Sequence, residues 1–372
     1  MHARIELAEV ERLKGRIGLE VTRATMPFYT EINRDAIRNY AHAIGDDNPL
    51  WLDPDYAHSA GFPDVIAPPS ILYSTDNVVS GAVEGMPGVH AMFAGTNWTW
   101  HEPLPAGTHI TTKSWLKDLV EHETRFSGRS IQQIYKVEFY DPEGNLLAEA
   151  DSWCFRTDRD QAREKGSKYS EEKAKPFSYT TEEIGKIAEH YRNEKRRGST
   201  PRFWEDVSVG DDVDAIVKGP YTVTSAVAYM QAWGSYAVKN HRMAFQYYER
   251  HPKLAIINGQ GVPEPPVRVH WDNDFAREVG VPGAYDFGPE RVSWLSHMMT
   301  DWVGDSGFLV KLDAQVRGHN MVGDTTWCRG KVTAKRKANG KTFVDCEVWG
   351  ENQRGKKTIV GTAVAELRTK AA

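Results

Sequence analysis

Apolar residues along the chain mark a helix followed by strands, and then the same order again. Ile37, Tyr40, Ala41 and Ile44 stand at the i, i+3, i+4, i+7 spacing that lays one apolar stripe along a helix. Asn33 or Thr30 can cap its start, and Gly45 is placed to end it. A short helix is expected earlier, over 5–16. A further helix is expected to carry Ile71, Leu72, Val78 and Val79, after a loop containing Gly61, Pro63, Pro68 and Pro69. Four strand-like runs follow, at 89–100, 109–119, 127–140 and 146–156. The last two are joined by a turn through Pro142 and Gly144.

From 158 to 178 the pattern lapses into Lys, Glu, Asp and Ser, and 181–197 reads as a charged helix capped by Thr180 or Thr181. This is the composition of a connector. The second half then replays the first. Tyr229 to Ser235 parallels Tyr40 to Asp46, His270-Trp271-Asp272 parallels Trp51-Leu52-Asp53, and Gly280-Val281-Pro282 parallels Gly61-Phe62-Pro63. Closing strands are expected near 343–349 and 358–368. The expected organisation is one unit over 1–157, a charged linker over 158–200 and a second unit over 201–372. The second unit carries an insertion at 236–265, which is rich in aromatic and basic residues and suits a lid over a site. Helix followed by antiparallel strands, twice, is an α+β pattern.

Composition narrows the function classes. A net charge of −5 over 372 residues argues against a nucleic-acid surface. No stretch approaches the ~18 apolar residues of a membrane span, so a cytoplasmic protein without membrane contact is expected. Cys154, Cys328 and Cys346 fit no metal-ligand spacing and read as free thiols. No Gly-rich phosphate loop and no nucleophile elbow is present.

The segment after the first helix, Gly45-Asp46-Asp47-Asn48-Pro49-Leu50-Trp51-Leu52-Asp53, places an aspartate and an asparagine on an irregular stretch at the end of a buried helix. It resembles the Gly-Asp-x-Asn-Pro-aliphatic-His-x-Asp signature of the MaoC-like acyl dehydratases, the R-specific enoyl-CoA hydratases, with Trp51 in the histidine position. The resemblance implies a double hotdog, each half a curled antiparallel sheet around a central helix. It further implies hydration of an enoyl-CoA, or dehydration of a 3-hydroxyacyl-CoA, with the thioester as substrate and neither metal nor redox cofactor. The family habit implies a homodimer, or a hetero-oligomer with another hotdog protein. The aromatic complement points to a bulky or ring-bearing acyl group.

Adding water to an enoyl thioester needs a base for the water, an acid for the α carbon and donors for the thioester oxygen. The family draws the first two from the signature Asp and His, and the donor from a glycine N–H at the start of the central helix. Here those parts are divided. The first repeat keeps Asp46 and Asn48, but has Trp51 and a helix start of Pro68-Pro69, which offers no N–H. His42 could stand in as its base. The second repeat has His270 and Gly288, but Ser235 where the aspartate belongs. The expectation is therefore a working second repeat. His270 would act as acid/base, the Gly288 N–H as oxyanion donor, and Asp286, Asp272 or the insertion would supply the carboxylate. Against this stand a structural His270 held by Asp272 and an Asp46 that caps local backbone. Asp46, Asn48 and Trp51 would then belong to a silent site. Two other classes compete: a non-catalytic acyl-CoA-binding subunit, and a hotdog thioesterase.

Overall fold

A computed structural model describes residues 5–22, 26–81, 85, 86, 89, 91–124, 128–157, 177–235 and 238–370. Most of the charged stretch expected as a connector, 158–176, lies outside the described residues, as do 236 and 237 of the insertion.

Apart from two short two-stranded pairings, the strands among the described residues form one nine-stranded antiparallel sheet. In chain order they are β1 (Ala91–Trp100), β2 (Thr111–Thr124), β3 (Gly128–Tyr140), β4 (Leu146–Thr157), β5 (Asp212–Lys218), β6 (Phe308–Val316), β7 (Thr326–Ala338), β8 (Lys341–Asn352) and β9 (Lys357–Glu366). Across the sheet they run β2-β3-β4-β1-β6-β9-β8-β7-β5. Each half thus contributes a contiguous block, and the blocks meet at β1 and β6, where Gly95 to Thr99 pair with Lys311 to Gln315. The architecture is a double hotdog.

Three helices position what matters. α1 (Arg34–Ile44) begins at Asn33, whose side chain accepts from the Ala36 N–H, and ends at Gly45 with φ 63. A left-handed terminus of this kind favours glycine. α2 (Val223–Trp233) ends likewise at Gly234, and packs on α1 with the Tyr40 and Tyr229 rings 6.4 Å apart. α3 (Gly288–Val303) is buried along nearly its whole length and crosses the seam, touching both β1 and β6.

Among the described residues, the first half has no counterpart of α3. Where a helix was expected around Ile71 to Val79, two short 3₁₀ turns form, at Pro69–Ser74 and Asn77–Ser80. Pro68 and Pro69 withhold donors from the start, and the Asp76 side chain accepts from the Val78 N–H and so begins a second turn. Gly81 closes that turn against the Trp153 backbone, 2.8 Å from where a Cβ would sit. The charged helix does form, as Thr181–Arg192, with a reciprocal Thr180–Glu183 cap. The insertion contains a helix, His241–Arg250, and a small hairpin pairing 256–257 with 263–264. All three cysteines are buried free thiols, and no helix among the described residues is long and apolar enough to cross a membrane.

Candidate active site

The turn after α1 is built from side chains that satisfy their own backbone. Gly45 reverses the chain, the Asp46 N–H donates to the Ala41 carbonyl, Asp46 Oδ1 accepts from the Asn48 N–H at 3.1 Å, and Asn48 Oδ1 accepts from the Leu50 N–H at 3.0 Å. The whole turn is thereby fixed by sequence-local bonds. The local capping expected of Asp46 is real, yet it uses only Oδ1. Asp46 is 2% exposed, and its Oδ2 has no hydrogen-bond partner among the described residues.

What faces this turn comes from the other half. His297, in the middle of α3, places Nε2 3.5 Å from Asp46 Oδ1, 3.1 Å from Asp301 Oδ2 and 3.9 Å from Glu194 Oε1. Lys218, at the end of β5, places Nζ 2.7 Å from His297 Nδ1 and 2.9 Å from each of the Ile44 and Gly45 carbonyls. Arg196 reaches Asp301 Oδ1 at 3.3 Å and pairs with Asp47. Burial dominates the titration of this cluster. It pushes the Asp46 carboxyl up, the Asp301 carboxyl up to about 6 and the Glu194 carboxyl up, and it drives the His297 imidazole down to about 3. Asp46, His297 and Asp301 hold ligand-type atoms within 4.8 Å of one another, the spacing a cation would need. The same ring has the Lys218 Nζ on its Nδ1.

A small cleft open to solvent, with an interior volume of about 60 Å³, lies beside this cluster. Asn48, Trp51, Phe62, Trp100 and Glu102 line it from the first half, and Thr300, Val303 and Asp305 line it from α3 and the turn after it. The walls are mainly apolar with few polar groups, the usual character of a small-molecule site. Trp51 is shared between cleft and cluster. It lines the one, and its indole lies near enough to the Asp46 carboxyl to favour the charged form.

The residues expected to make the second repeat work are differently disposed. His270 is partly buried; its ring lies on Phe287 with centroids 3.8 Å apart, and its Nδ1 lies 2.9 Å from the Tyr285 carbonyl. Burial pulls its pKa down to about 4. Asp272 does not hold it, because that carboxylate caps the helix Asn273–Glu278, accepting from the Asp274 and Phe275 N–H groups. Asp53 does the same for Pro54–Ser59, so the two residues share a structural task. Asp286 is fully buried and bound by both arms of Arg291, with Nε at 2.7 Å, and by the Asn320 amide at 3.2 Å. Of the two carboxylates expected to replace the missing aspartate beside His270, one is a cap and the other is half of an internal ion pair. Gly288 opens α3, but the Phe93 ring fills the space where a Cβ would stand. His42 is exposed on α1 and does not join the cluster.

His297, Asp301, Lys218, Glu194 and Arg196 were not among the sequence-derived candidates. One signal was available: His297 and Asp301 stand four apart on a helix whose neighbouring positions, Trp294, Leu295, Met298, Met299 and Trp302, are apolar and buried. Charge on a buried face marks a site or a structural network.

Residues 20–149 match the family model described as the FAS1-like, dehydratase domain region. A UPF0336 protein of Parafrankia sp. (strain EAN1pec) is 31% identical over 129 residues, which span 33% of this chain and 81% of that protein. A solved structure of a MaoC-like dehydratase aligns with a TM-score of 0.66 at 17% identity, covering 96% of this chain and 100% of that one. A conserved protein of Mycobacterium tuberculosis described as a double hotdog aligns with a TM-score of 0.56 at 8% identity, covering 93% of this chain and 96% of that one. At these identities the solved structures speak for fold alone.

Proposed function

We propose, because this chain belongs to the MaoC-like dehydratase family of double hotdog proteins, that it hydrates an enoyl thioester, or dehydrates the corresponding 3-hydroxyacyl thioester, in the cleft beside Asn48 and Trp51. The observation that carries this reading is the junction of the signature turn with α3: Asp46 lies against His297 and is bonded to the Asn48 backbone, and Asn48, with Trp51, lines an apolar cleft. The working half is then the first, not the second.

Asp46 is the acid/base. Its ionised carboxylate takes one proton from water as the water oxygen bonds to the β carbon, and the same carboxyl returns that proton to the α carbon. One water is added and the carboxylate is regenerated. The amide of Asn48, whose oxygen is already bonded to the Leu50 N–H, has its nitrogen end to offer the thioester oxygen as charge develops there. Phe62, Trp100 and Trp51 supply the apolar wall for the acyl chain, and a CoA thioester is the natural form of such a substrate.

A second reading, binding without turnover, draws on one observation: Asp46 is closed off behind Trp51, which stands where the family has histidine. A panel of enoyl-CoAs separates the readings. Loss of the conjugated thioester absorbance supports hydration, free CoA release indicates a thioesterase, and binding without either leaves a binding subunit. Asp46→Asn is expected to lower turnover at least about 100-fold, the range for loss of a positioned proton-transfer group, and His270→Ala to leave most of it. The opposite result returns the chemistry to the second half.

A further inference from the structure

The ammonium of Lys218 decides which nitrogen of His297 carries hydrogen. A lysine ammonium has three N–H donors and no acceptor. Those of Lys218 have three acceptors within reach: the Ile44 carbonyl at 2.9 Å, the Gly45 carbonyl at 2.9 Å and His297 Nδ1 at 2.7 Å. Nδ1 is therefore the lone-pair nitrogen, and the ring hydrogen sits on Nε2. That N–H points into the carboxylates, 3.1 Å from Asp301 Oδ2 and 3.5 Å from Asp46 Oδ1.

We propose that His297 is a positioning residue, locked by Lys218 as a neutral Nε2–H donor, which orients the Asp46 carboxyl and takes no proton during the reaction. The inference rests on Asp46 as the reacting carboxyl. With Nδ1 occupied and Nε2 carrying hydrogen, the imidazole has no lone pair for a substrate proton or a metal ion. The charged groups around it come from every packed element. Asp46 and Asp47 lie on the signature turn, Glu194 and Arg196 on the segment after the charged helix, Lys218 on β5 and Asp301 on α3 itself. Burial drives the imidazole pKa down, in keeping with a ring that stays neutral.

Lys218 acts twice. The two carbonyls it holds belong to the residues immediately before Asp46, so one ammonium fixes the backbone that carries the carboxylate and the ring that aligns it. The family signature places its histidine five residues after the aspartate, at the position of Trp51. Here the imidazole arrives from the opposite half and with a different task.

The tautomer can be read directly. In the full-length protein labelled with ¹⁵N-histidine, long-range ¹H–¹⁵N correlation resolves the two ring nitrogens, and His297 is assigned by its loss in His297→Gln. The expected result is a neutral Nε2–H ring whose signals do not move between about pH 5 and pH 8, across the ordinary histidine range. A Nδ1–H ring, a doubly protonated ring or broadening by added Mn²⁺ overturns the proposal. Kinetics give the second arm. His297→Gln keeps an N–H near the Nε2 position and should retain turnover within about tenfold with an unshifted pH profile, whereas His297→Leu should lower kcat about 100-fold with KM little changed. Equal loss in both variants would mean that the imidazole itself carries the proton. If wild type turns over no thioester at all, the hydratase reading fails, while the tautomer measurement still decides the state of His297.

Discussion

At the residue scale, His297 gives the cluster a pH signature. Burial depresses its folded pKa to about 3 from an ordinary value of 6.5. Above that ordinary value the ring is neutral whether folded or unfolded and contributes nothing to pH dependence. As pH falls below it, the unfolded chain takes up the proton first, so folded stability is lost progressively down to the folded pKa. Asp301, raised to about 6, acts in the opposite sense, gaining stability as pH falls from there toward 3.8. It is present in both wild type and His297→Gln, so a comparison of the two isolates the histidine. Wild type should lose stability relative to the variant by up to about 1.4 kcal/mol per pH unit below the ordinary histidine value. Urea midpoints at neutral and mildly acidic pH read the difference; a gap that stays constant would mean the ring is solvated. Arg291→Ala should cost about 3–5 kcal/mol by leaving Asp286 charged and unpaired in the interior.

At the scale of elements, strand packing beside the seam leaves no room for added atoms. Gly361 on β9 lies opposite Ala314 on β6, and a Cβ there would fall inside contact distance of the Asp313 carbonyl oxygen. Backbone cannot yield as a flexible side chain can. Gly361→Ala should therefore destabilise the protein by about 1–3 kcal/mol, measured as a shift in denaturant midpoint with unchanged slope. Gly355, in a turn with open space around it, offers the contrast in space alone, since its φ of 71 strains any side chain. α3 is the second such element. It is the only long helix crossing the seam among the described residues, and it carries both the imidazole and one wall of the cleft, so the site depends on a helix from one half meeting a turn from the other.

At the scale of the molecule, the two repeats share one sheet and one core that runs through residues of both halves. Because burial is shared, neither half is expected to stand alone. Unfolding should be a single cooperative transition by calorimetry, and residues 1–157 expressed alone should not give a folded monomer. Two resolved transitions would refute this. β2 and β5 are the outermost strands of the sheet; β2 is bridged at Trp115 and Leu116 by Glu20 and Ile17, and outer strands in general invite pairing with another chain. We propose a homodimer on that ground, with sedimentation velocity as its measurement.

What was legible in the sequence was what neighbours in the chain decide. The 3.6-residue stripe of Ile37 to Ile44, the glycine that ends it and the Asp46 and Asn48 turns are satisfied by bonds only a few positions long, so residue type alone specifies them. The alternating strands are of the same kind, and the duplication made a twice-repeated α+β unit visible, to which the family resemblance added the double hotdog. Asp272 and Asp286 show the limit. Each is a carboxylate near a plausible site, and only the fold reveals that one is spent on a helix start and the other on Arg291. The identity of the imidazole beside Asp46 was likewise a tertiary decision. Lys218 reaches Ile44 from 174 positions away, and the ring it holds stands on a helix of the other half. Local bonds carry their own address in the sequence, whereas a buried charge acquires its partner only when the sheet closes at the seam.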